Sequence, residues 1–307
     1  MIVCCGESLI DFLPRKTAEG AGAYQPFCGG SVFNTAIALS RLGVPTGLFT
    51  GLSTDFFGDM LREELAASKV SLRYAKQWEK PTTLAFVKLA NGHARYSFFD
   101  DNSAVRMLTK RDLPVFDSKV KALHFGSISL IPEPCGGALE ALLAREAATR
   151  VITFDPNIRA GMIANRRAHL ARLNRMIAMA DVVKVSDEDV AWMTGKDDAR
   201  AAARTWLKRG AKLVVVTRGA KGAEAFTASY SVTRPAGKVK VADTVGAGDT
   251  FMAALVAALR QARLLDKKKL ATISEANLRA ALGFAARAAA ITCSRPGANP
   301  PWAKEMA

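Results

Sequence analysis

The sequence has no long hydrophobic run and only five cysteines, so it lacks the usual features of a membrane span and of a structural zinc site. No stretch reaches the roughly 18 uninterrupted apolar residues of a membrane-spanning helix, and no basic segment precedes an apolar one at the start, as in a secretory signal. The five cysteines are scattered, with no C-x-x-C pair and no Cys/His cluster at zinc-ligand spacing. We therefore expect a cytoplasmic protein with reduced thiols, no membrane partner and no structural zinc.

Features of nucleic-acid binding are also scarce, although the chain is strongly basic. It has 43 Lys and Arg against 28 Asp and Glu, which gives a formal net charge of +15. We interpret these scattered cations as solvated helix surfaces, and the one triple run, Lys267, Lys268 and Lys269, is predicted to lie in a loop. Because no RNP aromatics, helix-turn-helix pattern or zinc finger accompanies the charge, we expect no nucleic-acid partner.

No internal repeat, low-complexity tract or Ser-rich linker divides the chain, so we predict a single domain over residues 1–307. Short apolar runs alternate with helical patterns, which is typical of an α/β fold with a doubly wound, mainly parallel sheet flanked by helices. The predicted core strands are 2–5, 46–50, 122–125, 151–154, 182–185 and 213–217, and the predicted helices are 31–42, 58–68, 137–149, 165–179, 198–208, 250–264 and 275–291.

Two β-rich segments interrupt this alternation. Residues 82–99 favour extended structure on both sides of Asn91-Gly92, a dipeptide suited to a tight hairpin turn, and residues 10–27 contain Gly, Pro and other residues untypical of a helix. We predict that these segments form a small discontinuous β-sheet lid, over about 10–28 and 72–104, that closes over a ligand. The exposed edges of such a sheet favour pairing with a second copy, so we expect a homodimer through the lid.

The stretch D-T-V-G-A-G-D-T-F, residues 243–251, places a glycine loop directly before an amphipathic helical run. Gly246 and Gly248 allow backbone N–H groups to approach a ligand closely, and the unpaired amides and positive dipole end of a helix N-terminus attract an anion. The residues alone leave two interpretations of Asp249. It is a first-turn acid that stabilises the helix start, or a general base that removes a proton from a hydroxyl, and the two roles are compatible.

This loop does not match two other phosphate-binding templates. It has only two glycines of a G-x-G-x-x-G fingerprint, lies late in the chain, and lacks the G-K-[ST] ending of a Walker P-loop. It resembles instead the C-terminal signature of the ribokinase, or PfkB, family of sugar kinases. A second stretch, C-G-G-S-V-F-N-T-A-I-A-L-S-R-L-G at 28–43, resembles the family's N-terminal Gly-Gly-x-x-x-Asn signature. With the opening G-E-S-L-I-D-F, the resemblance covers nearly the whole chain.

The resemblance implies roles for the residues of both signatures. Asp249 would be the catalytic base of a phosphoryl transfer to a sugar hydroxyl. The other matching residues are Gly246, Ala247 and Gly248 for the anion hole of the transferring phosphoryl group; Asp11, Gly29, Gly30 and Asn34 for the sugar; and Asp243 and Thr244 for a monovalent cation such as K⁺. For Asp243, shaping the loop is the alternative role.

On the nucleotide side the resemblance covers three segments. The stretch 214–223 matches the strand and turn that hold the ribose and phosphates of ATP, and F-D-P-N-I-R at 154–159 matches a segment facing the phosphates, although D-P-N also fits a plain turn. S-D-E-D at 186–189 stands where the family has a metal-associated Asn-x-x-Glu pattern, so Glu188 and Asp189 are the Mg²⁺ candidates. The expected nucleotide-binding residues are Asn157, Lys184, Thr217, Gly219 and Gly222.

The opening residues and the lid segment most resemble the bacterial fructokinase and 2-keto-3-deoxygluconate kinase branch, although Asp100 stands where fructokinases often carry an arginine. Phe98 and Arg95 fall on opposite faces of their strand, so only one of them is expected to face the sugar, and Arg159 is a further sugar-side candidate. We expect an enzyme that uses ATP and Mg²⁺ to phosphorylate the primary hydroxyl of a ketohexose, fructose first. The alternatives are 2-keto-3-deoxygluconate, another sugar or nucleoside, and a non-catalytic sugar-binding regulator.

Overall fold

The structure is a computed structural model, which describes the backbone of residues 1–90 and 93–306 and the side chains of residues 1–88 and 96–306. Strands and helices alternate along most of the chain. The strands are β1 (Ile2–Cys5), β2 (Leu9–Lys16), β3 (Gly22–Gly29), β4 (Thr46–Phe49), β5 (Gly51–Ser53), β6 (Lys76–Trp78), β7 (Leu84–Ala90), β8 (His93–Phe99), β9 (Ala122–Gly126), β10 (Val151–Asp155), β11 (Val182–Ser186), β12 (Leu213–Thr217), β13 (Ala223–Phe226) and β14 (Ser231–Arg234). The helices are α1 (Ser31–Arg41), α2 (Phe56–Ala67), α3 (Cys135–Glu146), α4 (Arg166–Met179), α5 (Asp187–Thr194), α6 (Ala199–Lys208), α7 (Ala247–Gln261), α8 (Lys267–Ala271) and α9 (Glu275–Cys293).

A large sheet forms the centre of the molecule, with the strand order β14-β13-β12-β11-β10-β9-β1-β4 among the described residues. The strands from β12 to β4 are parallel, and β13 and β14 are antiparallel additions at one edge. The parallel strands are almost continuously apolar and buried, as in a sheet covered on both faces. The predicted doubly wound, mainly parallel α/β fold is confirmed.

Helices cover the large sheet on both sides and divide its core into two clusters. One cluster contains apolar residues of α1, α7 and α9, and the other contains those of α3, α4 and α6. This layering brings the N-termini of α1 and α7 together beside the carboxyl ends of the parallel strands. In open parallel sheets that edge is the usual place for a ligand.

A second sheet has the order β3-β2-β7-β8 and is separate from the large one. Its strands come from both predicted lid segments, and the register places Asp11 opposite Phe27 and Ala85 opposite Phe98. The predicted Asn91-Gly92 turn lies outside the described residues. One part of the predicted lid range differs, because Lys76–Trp78 pairs in parallel with Gly51–Ser53 in a small third sheet.

The element boundaries contain two informative corrections. The triple run Lys267, Lys268 and Lys269 was expected in a loop but begins α8, because the Asp266 carboxylate accepts hydrogen bonds from the amides of the second and third lysine. The helix predicted at 250–264 begins earlier, at Ala247, because Gly246 has a left-handed φ of 75° and starts it. Asp249 therefore lies in the first turn of α7. Within the described part of the chain, no helix is long and apolar enough to cross a membrane.

Candidate active site

Two adjoining cavities lie between the small sheet, the large sheet and the N-termini of α1 and α7. Their volumes are about 310 Å³ and 410 Å³, and both are lined by Asp11, Asn34, Tyr96 and Val245. The smaller one, called the catalytic cavity below, brings together most of the residues predicted from the sequence. Those that line it are Asp11, Gly30, Asn34, Phe98, Asn157, Arg159, Lys184, Thr244, Gly246, Gly248 and Asp249.

Asp249 is held by side chains of another helix. The residue is 7% exposed, and its carboxylate accepts hydrogen bonds from Ser31 Oγ at 2.6 Å and from Asn34 Nδ2 at 2.9 Å. Both donors belong to α1, so the α1–α7 contact fixes the position of the carboxylate. Asn34 was predicted to bind the sugar; it lines the catalytic cavity, and its amide also contacts Asp249.

The glycine loop forms the start of α7, as its sequence predicts. The first i→i−4 hydrogen bond runs from Thr250 N to Gly246 O, so the amides of Gly248 and Asp249 precede the regular helical bonds. A Cβ on Gly246 would lie 2.6 Å from the Cβ of Ala298, so the loop is packed against the C-terminal segment. Unpaired amides at a helix start can bind an oxyanion.

A buried ion pair lies next to this helix start. Lys184 Nζ on β11 is 2.6 Å from Asp155 Oδ2 on β10, and both side chains are almost fully buried. Burial opposes the charge of the lysine, but Asp155, with Asp249 and Asp189, outweighs it and raises the pKa of Lys184. A Cβ on Gly248 would lie 3.0 Å from Lys184 Nζ. A permanent positive charge therefore lies directly beside the glycine loop.

Asp11 of β2 forms the other side of the catalytic cavity. Burial raises the pKa of Asp11 to about 6, Arg159 opposes this shift, and Asp249 adds to it. Gly29 ends the neighbouring strand β3, and glycine suits this position because a Cβ there would overlap Asp11 Oδ2. The next residue, Gly30, has a φ of 104°, which permits the turn from β3 into α1.

Two aromatic side chains of β8, Tyr96 and Phe98, line the catalytic cavity. Phe98 is one of the two lid residues of which only one was expected to face the sugar, and its ring stacks on that of Tyr96 with centroids 5.7 Å apart. Tyr96 was missed, although the two-residue period of the strand places it on the same face as Phe98. The side chain of Arg95, the other lid candidate, lies outside the described residues.

The predicted nucleotide residues fall into two groups. Asn157 and Arg159 both line the catalytic cavity. Asn157 has a φ of 40°, and its Oδ1 accepts a 2.7 Å hydrogen bond from Arg159. The other group, Thr217, Gly219 and Gly222, lies at the end of β12 and in the turn after it. β12 is two strands away from β10 in the sheet, and these residues do not line the catalytic cavity. Gly219 and Gly222 have φ values of 51° and 95°, as a tight turn requires.

Comparison with known proteins agrees with the two sequence signatures. The model of the pfkB family carbohydrate kinases matches residues 1–305. The chain belongs to this family. It is 52% identical over 279 residues to a fructokinase of Rhizobium leguminosarum bv. trifolii, covering 91% of this chain and 86% of that one.

Solved structures of other family members have the same fold as this pfkB kinase. A fructokinase with bound ATP from Xylella fastidiosa superposes with a TM-score of 0.90 at 27% identity, covering 99% of this chain and 96% of that one. A fructokinase double mutant from Vibrio cholerae O395, in its fructose-, ADP- and potassium-bound form, has a TM-score of 0.84 at 26% identity, with 97% and 93% coverage. The predicted ribokinase-like fold is confirmed.

The two predicted metal candidates of this pfkB kinase lie in different surroundings. Asp189 is buried, and its two oxygens accept 2.9 Å hydrogen bonds from the backbone amides of Ile158 and Ser186. Glu188 is exposed and lines a larger groove of about 1060 Å³ beside Arg159. Among the described residues, no group of three or more His, Cys, Asp or Glu side chains is arranged for a metal ion.

Asp243 connects the glycine loop to the C-terminal segment. Its two carboxylate oxygens accept hydrogen bonds from Val245 N at 3.0 Å and from Gly297 N at 2.9 Å. The segment 296–299 lines the larger of the two cavities, which sequence reasoning did not foresee. Shaping the loop, one of the two roles expected for Asp243, fits these contacts, and its neighbour Thr244 lines the catalytic cavity.

Proposed function

We propose that this pfkB kinase transfers the γ-phosphoryl group of ATP to the primary C6 hydroxyl of fructose and forms fructose 6-phosphate. The observation that carries the proposal is the catalytic cavity itself, where the Asp249 carboxylate at the start of α7 faces the same space as Asp11 and Lys184. The choice of fructose is supported by the fructokinase relative at 52% identity and by the fructose and ADP bound in the Vibrio cholerae enzyme.

Each side of the catalytic cavity has one task in this reaction. Asp11, as a carboxylate, accepts hydrogen bonds from sugar hydroxyls. Asp249 takes the proton of the attacking primary hydroxyl as general base. The amides at the start of α7 and the Lys184 ammonium stabilise the negative charge of the transferring phosphoryl group. The small sheet serves as the lid of a single domain and excludes water, which would otherwise compete as the nucleophile.

The ions expected with ATP are part of the proposal. Mg²⁺ prefers oxygen ligands and keeps several waters. The exposed Glu188 carboxylate and the buried Asp155 Oδ1, which has no hydrogen-bond partner among the described residues, fit it. When bound, Mg²⁺ neutralises charge on the phosphate oxygens. The loop of Asp243 and Thr244 is proposed for K⁺, and the potassium-bound form of the Vibrio cholerae enzyme supports the choice of this ion.

A sugar acid is the second candidate substrate, because Arg159 lines the catalytic cavity opposite Asp11. A guanidinium there can pair with a carboxylate such as that of 2-keto-3-deoxygluconate. Fructose carries no charge and makes no use of this pairing. Fructose is still preferred, because the relative with 52% identity over most of the chain is a fructokinase.

The lid is also the proposed surface of a homodimer. On the face of the sheet away from the catalytic cavity, the Phe86 ring makes edge contacts with Tyr24 and Phe99, and the latter two are 49% and 60% exposed. Burial of such rings against a second copy removes apolar surface from water. We further propose that the protein works in the cytoplasm, where its free cysteines stay reduced.

A coupled assay of ADP release tests the proposed function. Wild-type protein with ATP and Mg²⁺ is given fructose, 2-keto-3-deoxygluconate, ribose or adenosine, and kcat/KM is compared. We expect fructose to give the highest value. A higher value for the sugar acid would select the second candidate. Fructose binding without ADP release would show a non-catalytic sugar-binding protein and contradict the proposal.

A further inference from the structure

Ser31 makes a close hydrogen bond to the proposed general base. Its Oγ lies 2.6 Å from Asp249 Oδ1, across the contact between α1 and α7. Both residues are less than a tenth exposed. Asn34, one turn further along α1, donates to the other oxygen, Oδ2, at 2.9 Å. The carboxylate is therefore held at both ends by donors of one helix.

The start of α1 leaves the Ser31 hydroxyl available for this contact. The amide of Val32, in the first turn, donates to Glu7 Oε1 at 3.2 Å, so a buried acid from the loop after β1 satisfies it. Gly30, with its φ of 104°, directs the chain so that Ser31 is the first helical residue. The Ser31 side chain thus reaches across to α7 and is not used to cap its own helix.

Two donors restrict rotation of a carboxylate that could otherwise turn about its Cβ–Cγ bond. Each carboxylate oxygen has two lone-pair directions, so one remains on each oxygen for the sugar hydroxyl. A general base must be within about 3 Å of the proton it removes, and small errors in its orientation lower the rate. Asn34 alone would fix only one oxygen.

We propose that Ser31 is a positioning residue that acts on phosphoryl transfer through Asp249. This inference rests on the proposed function of Asp249 as the base. Ser31 also lines the catalytic cavity, but its hydroxyl donates to Asp249, so we expect it to orient the base and not to bind the sugar or ATP. Its removal should therefore lower kcat and leave both KM values unchanged.

The test compares Ser31→Ala with Ser40→Ala, a serine near the other end of α1. We expect Ser31→Ala to lower kcat about tenfold, the rate equivalent of one hydrogen bond to a charged group, with both KM values within about twofold of wild type. Ser40→Ala should keep the wild-type kcat, and both variants should keep the wild-type circular dichroism. An unchanged kcat in Ser31→Ala, or a rise of KM alone, would overturn the proposal.

A double-substitution cycle separates action through Asp249 from an independent role. In an Asp249→Ala background, adding Ser31→Ala should leave the residual rate unchanged. A further tenfold loss would show that Ser31 acts without Asp249 and would overturn the proposal. The cycle uses whichever sugar the wild-type enzyme phosphorylates best. Failure of fructose as a substrate would then contradict the proposed function and leave this test intact.

Discussion

The starts of α5 and α7 carry the same sequence feature with different partners. Each helix begins near the carboxyl ends of the parallel strands and has an aspartate as its third residue, Asp189 in α5 and Asp249 in α7. The two aspartates are 6% and 7% exposed. Asp189 accepts hydrogen bonds from two backbone amides. Asp249 accepts them from two side chains, Ser31 and Asn34.

This difference separates an acid that holds backbone segments together from the acid that we propose as the catalytic base. The bonds of Asp189 connect the start of α5 to the chain after β10, so its carboxylate is used to hold two backbone segments. The bonds of Asp249 come from side chains of another helix, at the wall of a cavity that can contain a substrate. Burial and helix position do not distinguish these two acids, whereas their hydrogen-bond donors do.

The largest predicted effect is that of Asp249→Asn. The amide cannot take a proton from the sugar hydroxyl, so we expect kcat to fall at least about 10²-fold. The side chain keeps its size, and its new amide group can donate to Ser31 Oγ, because a hydroxyl also accepts hydrogen bonds, while its oxygen still accepts from Asn34. The melting temperature should therefore stay within a few degrees of the wild-type value. Steady-state ADP release and a thermal melt measure the two quantities. Near-normal turnover of this variant would show that Asp249 is not the base.

Asp11 is a third acid near these helix starts and is partly buried, and its pKa of about 6 predicts a pH dependence. Because the ionised form accepts the sugar hydroxyls, kcat/KM for the sugar should fall about tenfold per pH unit below that pKa. The ionised form is also the one that burial disfavours. Wild-type stability is therefore reduced as pH rises from about 4 to 6.

Urea unfolding of Asp11→Asn tests whether the Asp11 charge lowers the free energy of unfolding as pH rises. The variant lacks the buried charge, so it should be more stable than wild type at pH 7, and the difference should disappear below about pH 4. Sugar affinity should be lost at all pH values. A wild-type kcat/KM that stays flat from pH 7 to 5 would contradict the role of Asp11.

Gly29→Ala should weaken sugar binding by a smaller amount. The added methyl group would overlap Asp11 Oδ2 and displace the carboxylate, so we expect KM for the sugar to rise about tenfold, equivalent to one hydrogen bond to a charged group. KM for ATP should not change. Gly22→Ala is a matched control at the other end of β3, where a Cβ meets no atom within 4 Å. Equal effects of the two substitutions would show that the contact with Asp11 is unimportant.

Asp189→Asn has the smallest predicted effect on turnover. Its amide nitrogen would face the N–H of Ile158 or Ser186, so one buried hydrogen bond is lost. We expect the free energy of unfolding to fall by about 1–3 kcal/mol, with kcat within about threefold of wild type. Urea unfolding and ADP release provide both values. A loss of turnover without a loss of stability would support the metal role that the family resemblance implies.

The sequence predicted the parts of the fold and site that depend on local patterns. Continuous apolar runs gave the strands β1 and β12 with their observed bounds, because strands of a covered parallel sheet are buried on both faces. The glycine loop and Asp249 were identified because the conformation of glycine and the amides of a helix start act over only a few residues.

Contacts between distant segments could not be predicted in the same way. The Ile158 amide that donates to Asp189 comes from another loop. The Ser31 hydroxyl that donates to Asp249 is 218 residues away in the chain. No periodicity encodes such a pairing. Tyr96 was within reach of sequence reasoning, since it shares a strand face with Phe98, but the role of segment 296–299 depends on how the chain end folds back.

The most direct measurement places Asp249→Asn and Asp189→Asn in one ADP-release assay at saturating ATP, Mg²⁺ and fructose. We predict that kcat falls at least about 10²-fold in the first variant and at most about threefold in the second. Comparable losses of kcat in the two variants, or a larger loss in Asp189→Asn, would contradict this prediction.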